Sequence, residues 1–337
     1  MTKEERMDKW KGVIYGQALG DAMGMPSELW SRRKVRAYFG RIDGLLEGPK
    51  ENQVAVNYHR GQFTDDTSQA LVLLDSLAVT KFVPDGRHFA RRLLAWAEEL
   101  HAFDNHMLGP TSALTLQLVK EGKSTEEAAK AALSNGAAMR IAPVGCLFGA
   151  DELERLADYV KEITKETHFS DITLAGAALV AAAASVAAEC GDARQAVRAA
   201  IRLEPYARGL GAETFSASIC RRVELGMEYA ARYEDDEEAF LDFVYEVIGA
   251  GVPTSESVAA ALLLAYYAND PNRCALLCAN LGGDTDTIGA MATAICGAAA
   301  GYSGIRPDFV QVLDEANQVD LCAYAGLLEQ GWEVLHG

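Results

Sequence analysis

The chain has 337 residues, with 31 lysines and arginines against 48 aspartates and glutamates, a formal net charge of −17. Half of its residues are hydrophobic and 23% are charged, which excludes a disordered chain. The acid excess excludes a surface that grips nucleic-acid backbone broadly or docks on an anionic membrane, since both need clustered lysine and arginine.

A small anionic substrate held by local cations stays open. At this length two domains of roughly 150 residues and one large domain are also both open. The first ten residues, Met1 to Trp10, are polar and mixed in charge, so no secretory signal is expected. Next, Gly16, Gly20 and Gly24 in GQALGDAMG share one helical face, which predicts a close helix–helix approach inside a core. A glycine-bounded turn, Gly20-Asp21 through Pro26-Ser27-Glu28, follows. Arg32, Arg33, Lys34 and Arg36 form a local basic cluster, read either as a solvated helix face or as a contact for phosphates or an acidic partner. The stretch from Gly40 to Thr64 is irregular and long enough to be a functional loop. Within it Val54-Ala-Val56 is the only hint of a strand.

Beyond that loop the helical period dominates. Ala70, Leu73, Leu74 and Leu77 mark one helix, and Ser124-Thr-Glu-Glu127 fits a capping box opening another. Asn135-Gly136 signals a turn, and Met139-Arg140 closes that segment. Apolar residues then recur at i, i+3, i+4, i+7 in Leu153–Val160, Ala193–Ala200, Val258–Ala265 and Phe309–Ala316. Thr167-His168 precedes the alanine-rich Ile172–Ala188. That run and the glycine-bearing Ile288–Ile305 are apolar enough to mimic membrane spans, yet both read as tightly packed core helices. The acid run Glu234–Glu238 reads as solvated. Seven cysteines, mostly among apolar neighbours, read as buried reduced thiols of a cytoplasmic protein rather than a disulfide scaffold. The fold class is all-α.

Two segments carry the chemistry. Thr64-Asp65-Asp66-Thr67 leads into the Ala70 helix, and Gly282-Gly283-Asp284-Thr285-Asp286-Thr287 leads into Ile288–Met291. Helix capping explains either one alone, because Thr and Asp suit the positive end of a helix. Two with the same grammar point further. If they meet, four carboxylates share one pocket, and like charges about 4 Å apart repel by about 4 kcal/mol per pair at an effective dielectric near 20. Such a cluster stays partly protonated or holds cations. Oxygen donors without nearby histidine or cysteine favour Mg²⁺, Mn²⁺ or Ca²⁺, and the number of donors suits two ions. Since the segments lie about 220 residues apart, their meeting favours a single domain over residues 1–337.

GQALGDAMGMPSE, FTDDT, SNGAAMRIAP, THFSD and LGGDTDTIGAMATA, taken in this order, resemble the ADP-ribosylglycohydrolase family. That family includes the enzyme that reactivates ADP-ribosylated dinitrogenase reductase and the J1-type crystallins. The resemblance spans about Gly12 to Gly304. It implies a single compact multi-helix orthogonal bundle with a binuclear Mg²⁺ or Mn²⁺ centre. Its implied metal ligands are Thr64, Asp65, Asp66, Asp284, Asp286 and Thr287, with Asp286 as the bridge. It implies catalytic roles for Glu28, which faces the reacting ribose, and for Asp65. Asn135, Gly136, Met139, His168, Gly282 and Gly283 match substrate-binding positions. Asp21 matches a motif aspartate that either touches metal or holds the turn.

The implied reaction is metal-assisted hydrolysis at the anomeric carbon of a ribose, through an oxocarbenium-like state. The implied substrate is a small molecule containing ADP-ribose or an ADP-ribosylated macromolecule. Family members release ADP-ribose from arginine or serine side chains, nucleic-acid ends or small conjugates, and nothing in the sequence selects among these leaving groups. A nucleoside or nucleotide N-glycosidase, a non-catalytic crystallin-like binder and another two-metal hydrolase are the alternatives.

Overall fold

The computed structural model describes residues 1–103 and 108–337, and among them it contains α-helices and isolated bridges but no β-sheet. The helices are α1 Lys3–Gly24, α2 Arg32–Phe39, α3 Asp65–Val79, α4 Gly86–Glu99, α5 Pro110–Lys120 and α6 Glu126–Lys130. They continue as α7 Leu153–Thr164, α8 Asp171–Cys190, α9 Ala193–Ala200, α10 Glu204–Arg208, α11 Ile219–Arg232 and α12 Glu237–Phe243. The last five are α13 Thr254–Ala268, α14 Pro271–Leu281, α15 Thr285–Ala300, α16 Pro307–Asn317 and α17 Leu321–His336. The all-α reading of the sequence holds.

The glycine face of α1 explains the centre of the molecule. A Cβ on Gly12 would collide with the backbone of Gly297 and Gly301, one on Gly16 with Thr293, one on Gly20 with Gly289, and one on Gly24 with Thr285. As the α1 numbers rise the α15 numbers fall, so the two helices run antiparallel with backbones in contact. Both helices are sealed by the core: α1 is buried continuously from Gly12 to Gly24 and α15 from Thr285 to Ala299. Close approach therefore sets one end of α1 (Gly24) directly against the first turn of α15.

Helix α8 is long and apolar enough to cross a membrane, and its apolar window is wholly buried inside the protein. Ser170 caps its N-terminus by accepting from Thr173 N, and Gly191 in the left-handed region ends it. The seven cysteines form no disulfide. Cys146, Cys274, Cys278 and Cys296 are buried, whereas Cys190 is exposed and Cys220 and Cys322 are half-buried, so the thiols are less uniformly interior than the sequence suggests.

Three local expectations are corrected. Ser124 does accept from Glu126 N, but Glu127 returns no bond to it and α6 lasts only five residues; Glu127 faces Lys130 at 3.6 Å, which also pairs with Glu126 at 2.6 Å. Val54–Val56 is no strand, because Ala55 N and Val56 N both wind back to Asn52 O. The basic cluster and the acid run are partners rather than two solvated faces. Arg32 donates to Asp242 (2.5 Å) and Glu238 (2.8 Å), and Arg36 pairs with both. Arg41 and Arg273 pair with Glu237 at 2.9 and 2.8 Å. Lys34 lies over the Trp30 ring, 3.7 Å from its centroid.

Candidate active site

Both carboxylate segments hang from the C-terminal end of α1. Asp21, fully buried, accepts from Thr64 N (2.9 Å) through one oxygen, and from Thr67 N (3.0 Å) and Thr67 Oγ1 (2.6 Å) through the other. It thereby ties down the first turn of α3, which carries Asp65 and Asp66. Asp21 holds the turn, and both its oxygens are spent doing so. Gln17, one turn earlier, donates to Asp66 O and Met139 O, both at 3.2 Å. Three residues after Asp21, the second segment attaches: Thr285 Oγ1 donates to Gly24 O (2.8 Å), and Ser27 Oγ lies 3.1 Å from Thr285 Oγ1. Residues 64–67 and 284–287 meet because one helix end anchors both.

Glu28 enters from the same end. The chain turns sharply after it, with Leu29 at φ 56°, and an antiparallel bridge locks Trp30 to Gly283: Leu29 N donates to Gly283 O (2.7 Å) and Gly283 N to Trp30 O (2.8 Å). Asn52, from the irregular loop, donates to Glu28 O (2.9 Å) and Pro26 O (3.3 Å). Gly282 and Gly283 both have positive φ, and a Cβ on them would strike the Arg32 backbone and Ala250 O respectively. The backbone conformation and this close packing both require glycine at the two positions.

On the other wall, Asn135 Nδ2 donates to Asp284 Oδ2 (2.6 Å) and to Ser257 Oγ (3.0 Å). Gly136 lies against the His168 ring, where a Cβ would come within 3.0 Å of Cε1. Met139 is buried and its carbonyl receives Gln17. His168 is fully buried, with Nδ1 3.0 Å from Thr167 Oγ1 and Nε2 3.4 Å from Ser134 Oγ. Burial, helped by the nearby Arg140, pushes its pKa well below the usual histidine value. It backs the Asn135–Gly136 turn as a neutral ring.

The electrostatics separate this cluster from ordinary helix capping. Burial is the main cause in every case, and repulsion from neighbouring carboxylates adds to it for Glu28, Asp65, Asp66 and Asp286. Asp21 and Asp284 are each pushed up to about 6, Asp65 to about 7 and Glu28 to about 8. The charges of Asp284, Asp65 and Asp21 act on Glu28. Asp66 and Asp286 are held well above the usual carboxylate range, the former also by Asp65, Asp21 and Asp284, the latter also by Glu28, Asp66, Asp284 and Asp21. Among the described residues no lysine, arginine or histidine forms an ion pair with any of the six. Their partners are neutral: Thr64 Oγ1 to Asp66 Oδ2 (3.2 Å), Gln69 Nε2 to Asp65 Oδ2 (2.7 Å) and Asn135 to Asp284.

Two of these acids are left with a buried oxygen that no group satisfies, Asp66 Oδ1 and Asp286 Oδ1. Buried polar atoms are nearly always paired, so two orphans on neighbouring carboxylates mark a place for a cation or for protons. As they stand, no three acidic, histidine or cysteine side chains among the described residues close tightly enough to enclose an ion. The donor chemistry nonetheless fits hard divalent cations: carboxylate and hydroxyl oxygens only, with His168 turned to other partners.

The sequence reading missed several contributors. Tyr58, on the irregular loop, is half-buried beside the cluster. Burial, then the charges of Asp65, Asp21, Glu28 and Asp286, push its hydroxyl far above the usual tyrosine range. A tyrosine in a structureless stretch gave no signal. Gln69 had one, standing one helical turn after Asp65, and Arg140 sat inside a quoted motif.

Comparison with known proteins places the chain in a family. The sequence profile described as ADP-ribosylglycohydrolase matches residues 2–334. The uncharacterized protein YegU of Escherichia coli (strain K12) is 46% identical over 318 residues, covering 94% of this chain and 95% of YegU. The ADP-ribosylhydrolase ARH3 of Gallus gallus is 26% identical over 335 residues, covering 90% and 88%. A solved structure titled "ADP-ribosylglycohydrolase-related protein complex" superimposes with a TM-score of 0.68 at 24% identity, covering 98% of this chain and 99% of the other, and so shares the fold.

Proposed function

The chain belongs to the ADP-ribosylglycohydrolase family, and from that premise we propose that it hydrolyses the bond at the anomeric carbon of the ribose in an ADP-ribosylated substrate, whether small molecule or macromolecule, at the carboxylate cluster around Asp65 and Asp286. It is a glycosidase-type hydrolase. The observation that carries the site is the gathering of six carboxylates with no ion-pairing cation among the described residues, two of them with orphaned buried oxygens.

In this reading Thr64, Asp65, Asp66, Asp284, Asp286 and Thr287 hold two Mg²⁺ or Mn²⁺ ions. When bound, these ions supply a grip on ribose hydroxyls and acidify a water. The remaining steps belong to the chain. Glu28, half-buried at the edge of the cluster, can exchange a proton with a ribose hydroxyl or the departing group. Asp65, at the first turn of α3, can accept a proton from the attacking water. Asn135 and Gly136, braced by His168, and Met139 line the ribose from the opposite wall. The buried surroundings of Asp284 and Asp286 keep bulk water away from the oxocarbenium-like state.

The test is a substrate panel: ADP-ribosyl-arginine, ADP-ribosyl-serine, ADP-ribosylated nucleic-acid ends and free nucleosides, each with Mg²⁺ or Mn²⁺, assayed for released ribose species. Asp65→Ala should lose metal binding and turnover together, whereas Glu28→Ala should lose turnover and keep metal. Normal turnover in chelator-treated enzyme would overturn the reading.

A further inference from the structure

Arg140 is a fully buried cation with no carboxylate partner among the described residues. Its guanidinium rests over the Phe89 ring, 4.9 Å from the centroid. One terminal nitrogen donates to Gln69 Oε1 (2.8 Å), the other to Thr167 Oγ1 (2.8 Å), and Nε has no partner. Burial pushes the group down to about 9, against the pull of Asp65. An interior cation normally meets an anion directly, because an unpaired buried charge is costly. Here the nearest functional carboxylate is kept one side chain away.

Gln69 is that side chain. It is fully buried, stands one turn after Asp65 on α3, and donates Nε2 to Asp65 Oδ2 (2.7 Å). A guanidinium offers only donors, so the Gln69 oxygen must face Arg140. The amide can then point only its NH₂ at Asp65. Carboxamide orientation, ordinarily ambiguous, is set here by chemistry.

We infer that Arg140 and Gln69 form a positioning pair that fixes Asp65 for the proposed metal and substrate centre. A direct arginine–aspartate contact is commonly bidentate and would engage both carboxylate oxygens. The interposed glutamine engages Oδ2 alone, with a neutral donor. The second arm of Arg140 reaches Thr167, whose hydroxyl meets His168. One guanidinium thus braces both the helix bearing Asp65 and the histidine behind Gly136.

This inference rests on the proposed metal-centred reading, and the experiment separates the two. Mn²⁺ affinity of the chelator-stripped full chain is measured by the electron paramagnetic resonance of free Mn²⁺, for wild type, Gln69→Met, Arg140→Met and Arg140→Lys, with thermal unfolding as the check on folding. Gln69→Met keeps length and volume but cannot donate. It should weaken Mn²⁺ binding about 10-fold or more, the usual scale for losing a hydrogen-bond partner of a metal ligand, and lower kcat more than it changes KM. Arg140→Lys, which can still donate to Gln69 Oε1, should recover most of the affinity that Arg140→Met loses. Should Arg140→Met fail to fold, Gln69→Met decides. Wild-type binding matched within twofold by a folded Gln69→Met would overturn the pair alone. No Mn²⁺ bound by wild type would overturn the metal-centred reading and the inference with it.

Discussion

Two acid-rich regions of this protein have opposite fates. At the junction of α2, α12 and α14, Glu237, Glu238 and Asp242 meet Arg32, Arg36, Arg41 and Arg273. Burial would raise Glu237 and Asp242, but their arginines more than offset it and hold both below the usual carboxylate range. At the end of α1, Asp21, Glu28, Asp65, Asp66, Asp284 and Asp286 meet only one another and neutral donors, and all six are raised. The first region is a clasp whose charges cancel on folding. The second gathers carboxyls whose ionisation no cation of the chain offsets among the described residues, an arrangement that a folded chain would not keep for stability alone. The sign of the carboxylate shift, more than the number of acids, separates structural acid from chemical acid.

The sharpest way to break this contrast is Asp286→Asn. It retains the side-chain shape and removes the proposed bridging ligand, a carboxyl whose ionisation is opposed by burial and by Glu28, Asp66 and Asp284. Turnover on the ADP-ribosyl substrates should fall below detection, while the melting temperature of the chelator-treated protein rises. A lower melting temperature would mean that the cluster is stabilising as it stands.

The pH dependence of the metal-free protein is the next test. Each of the six carboxylates binds its proton more tightly folded than unfolded, where values lie near 4. Between about pH 4 and 8 the folded chain therefore holds more protons, and stability falls as pH rises through the folded values. Those values are about 6 for Asp21 and Asp284, 7 for Asp65 and 8 for Glu28. Chelator-treated wild type should melt lower at pH 8 than at pH 6, with a smaller drop in Asp286→Asn. Added Mg²⁺ or Mn²⁺ should stabilise more at pH 8, where the ligands are deprotonated. An equal or larger drop in the variant would detach the effect from the cluster.

Much of this was legible in the sequence. Helical periodicity gave the class, and the glycine spacing of α1 gave its close approach to another helix. TDDT and GGDTDT were readable because both are helix starts, a local feature. Their meeting could only be inferred, since it depends on Asp21 and Gly24 anchoring segments far away in the chain. The clasp was misread for the same reason: Arg32 and Glu238 lie about 200 residues apart, and each looks solvated beside its own neighbours. Gln69 and Arg140 were hidden because their meaning lies in the direction of a hydrogen bond, which no spacing encodes.

Within the clasp, Asp242→Asn probes the buried side. Arg32 is nearly inaccessible and would keep Glu238 and the Asn280 carbonyl while losing one charged partner. The cost should be about 2 kcal/mol, or roughly 3 °C of melting temperature at this chain length, since removing one partner of a charged hydrogen bond typically costs this much. The residue lies outside the proposed catalytic machinery, so kcat should stay at the wild-type value. Loss of turnover at unchanged stability would join the two regions into one.

The smallest expected effect lies at the rim of the clasp. Arg41 is more than half exposed and pairs with Glu237 at 2.9 Å, but Glu237 keeps Arg273 at 2.8 Å when Arg41 is removed. An exposed ion pair contributes about 0–1 kcal/mol, because solvent screens it and both side chains lose freedom in making it. Arg41→Ala should therefore lower the melting temperature by no more than about 1.5 °C, less still in high salt. Glu237 should lose only part of its depression, since Arg273 is unmoved. A cost comparable to that of Asp242→Asn would show that the rim charges act as one network with the buried arginine. Cancellation in the clasp would then depend on its exposed members, and the division between a self-sufficient clasp and a charge-hungry site would have to be drawn from the whole set of pairs rather than from the buried ones.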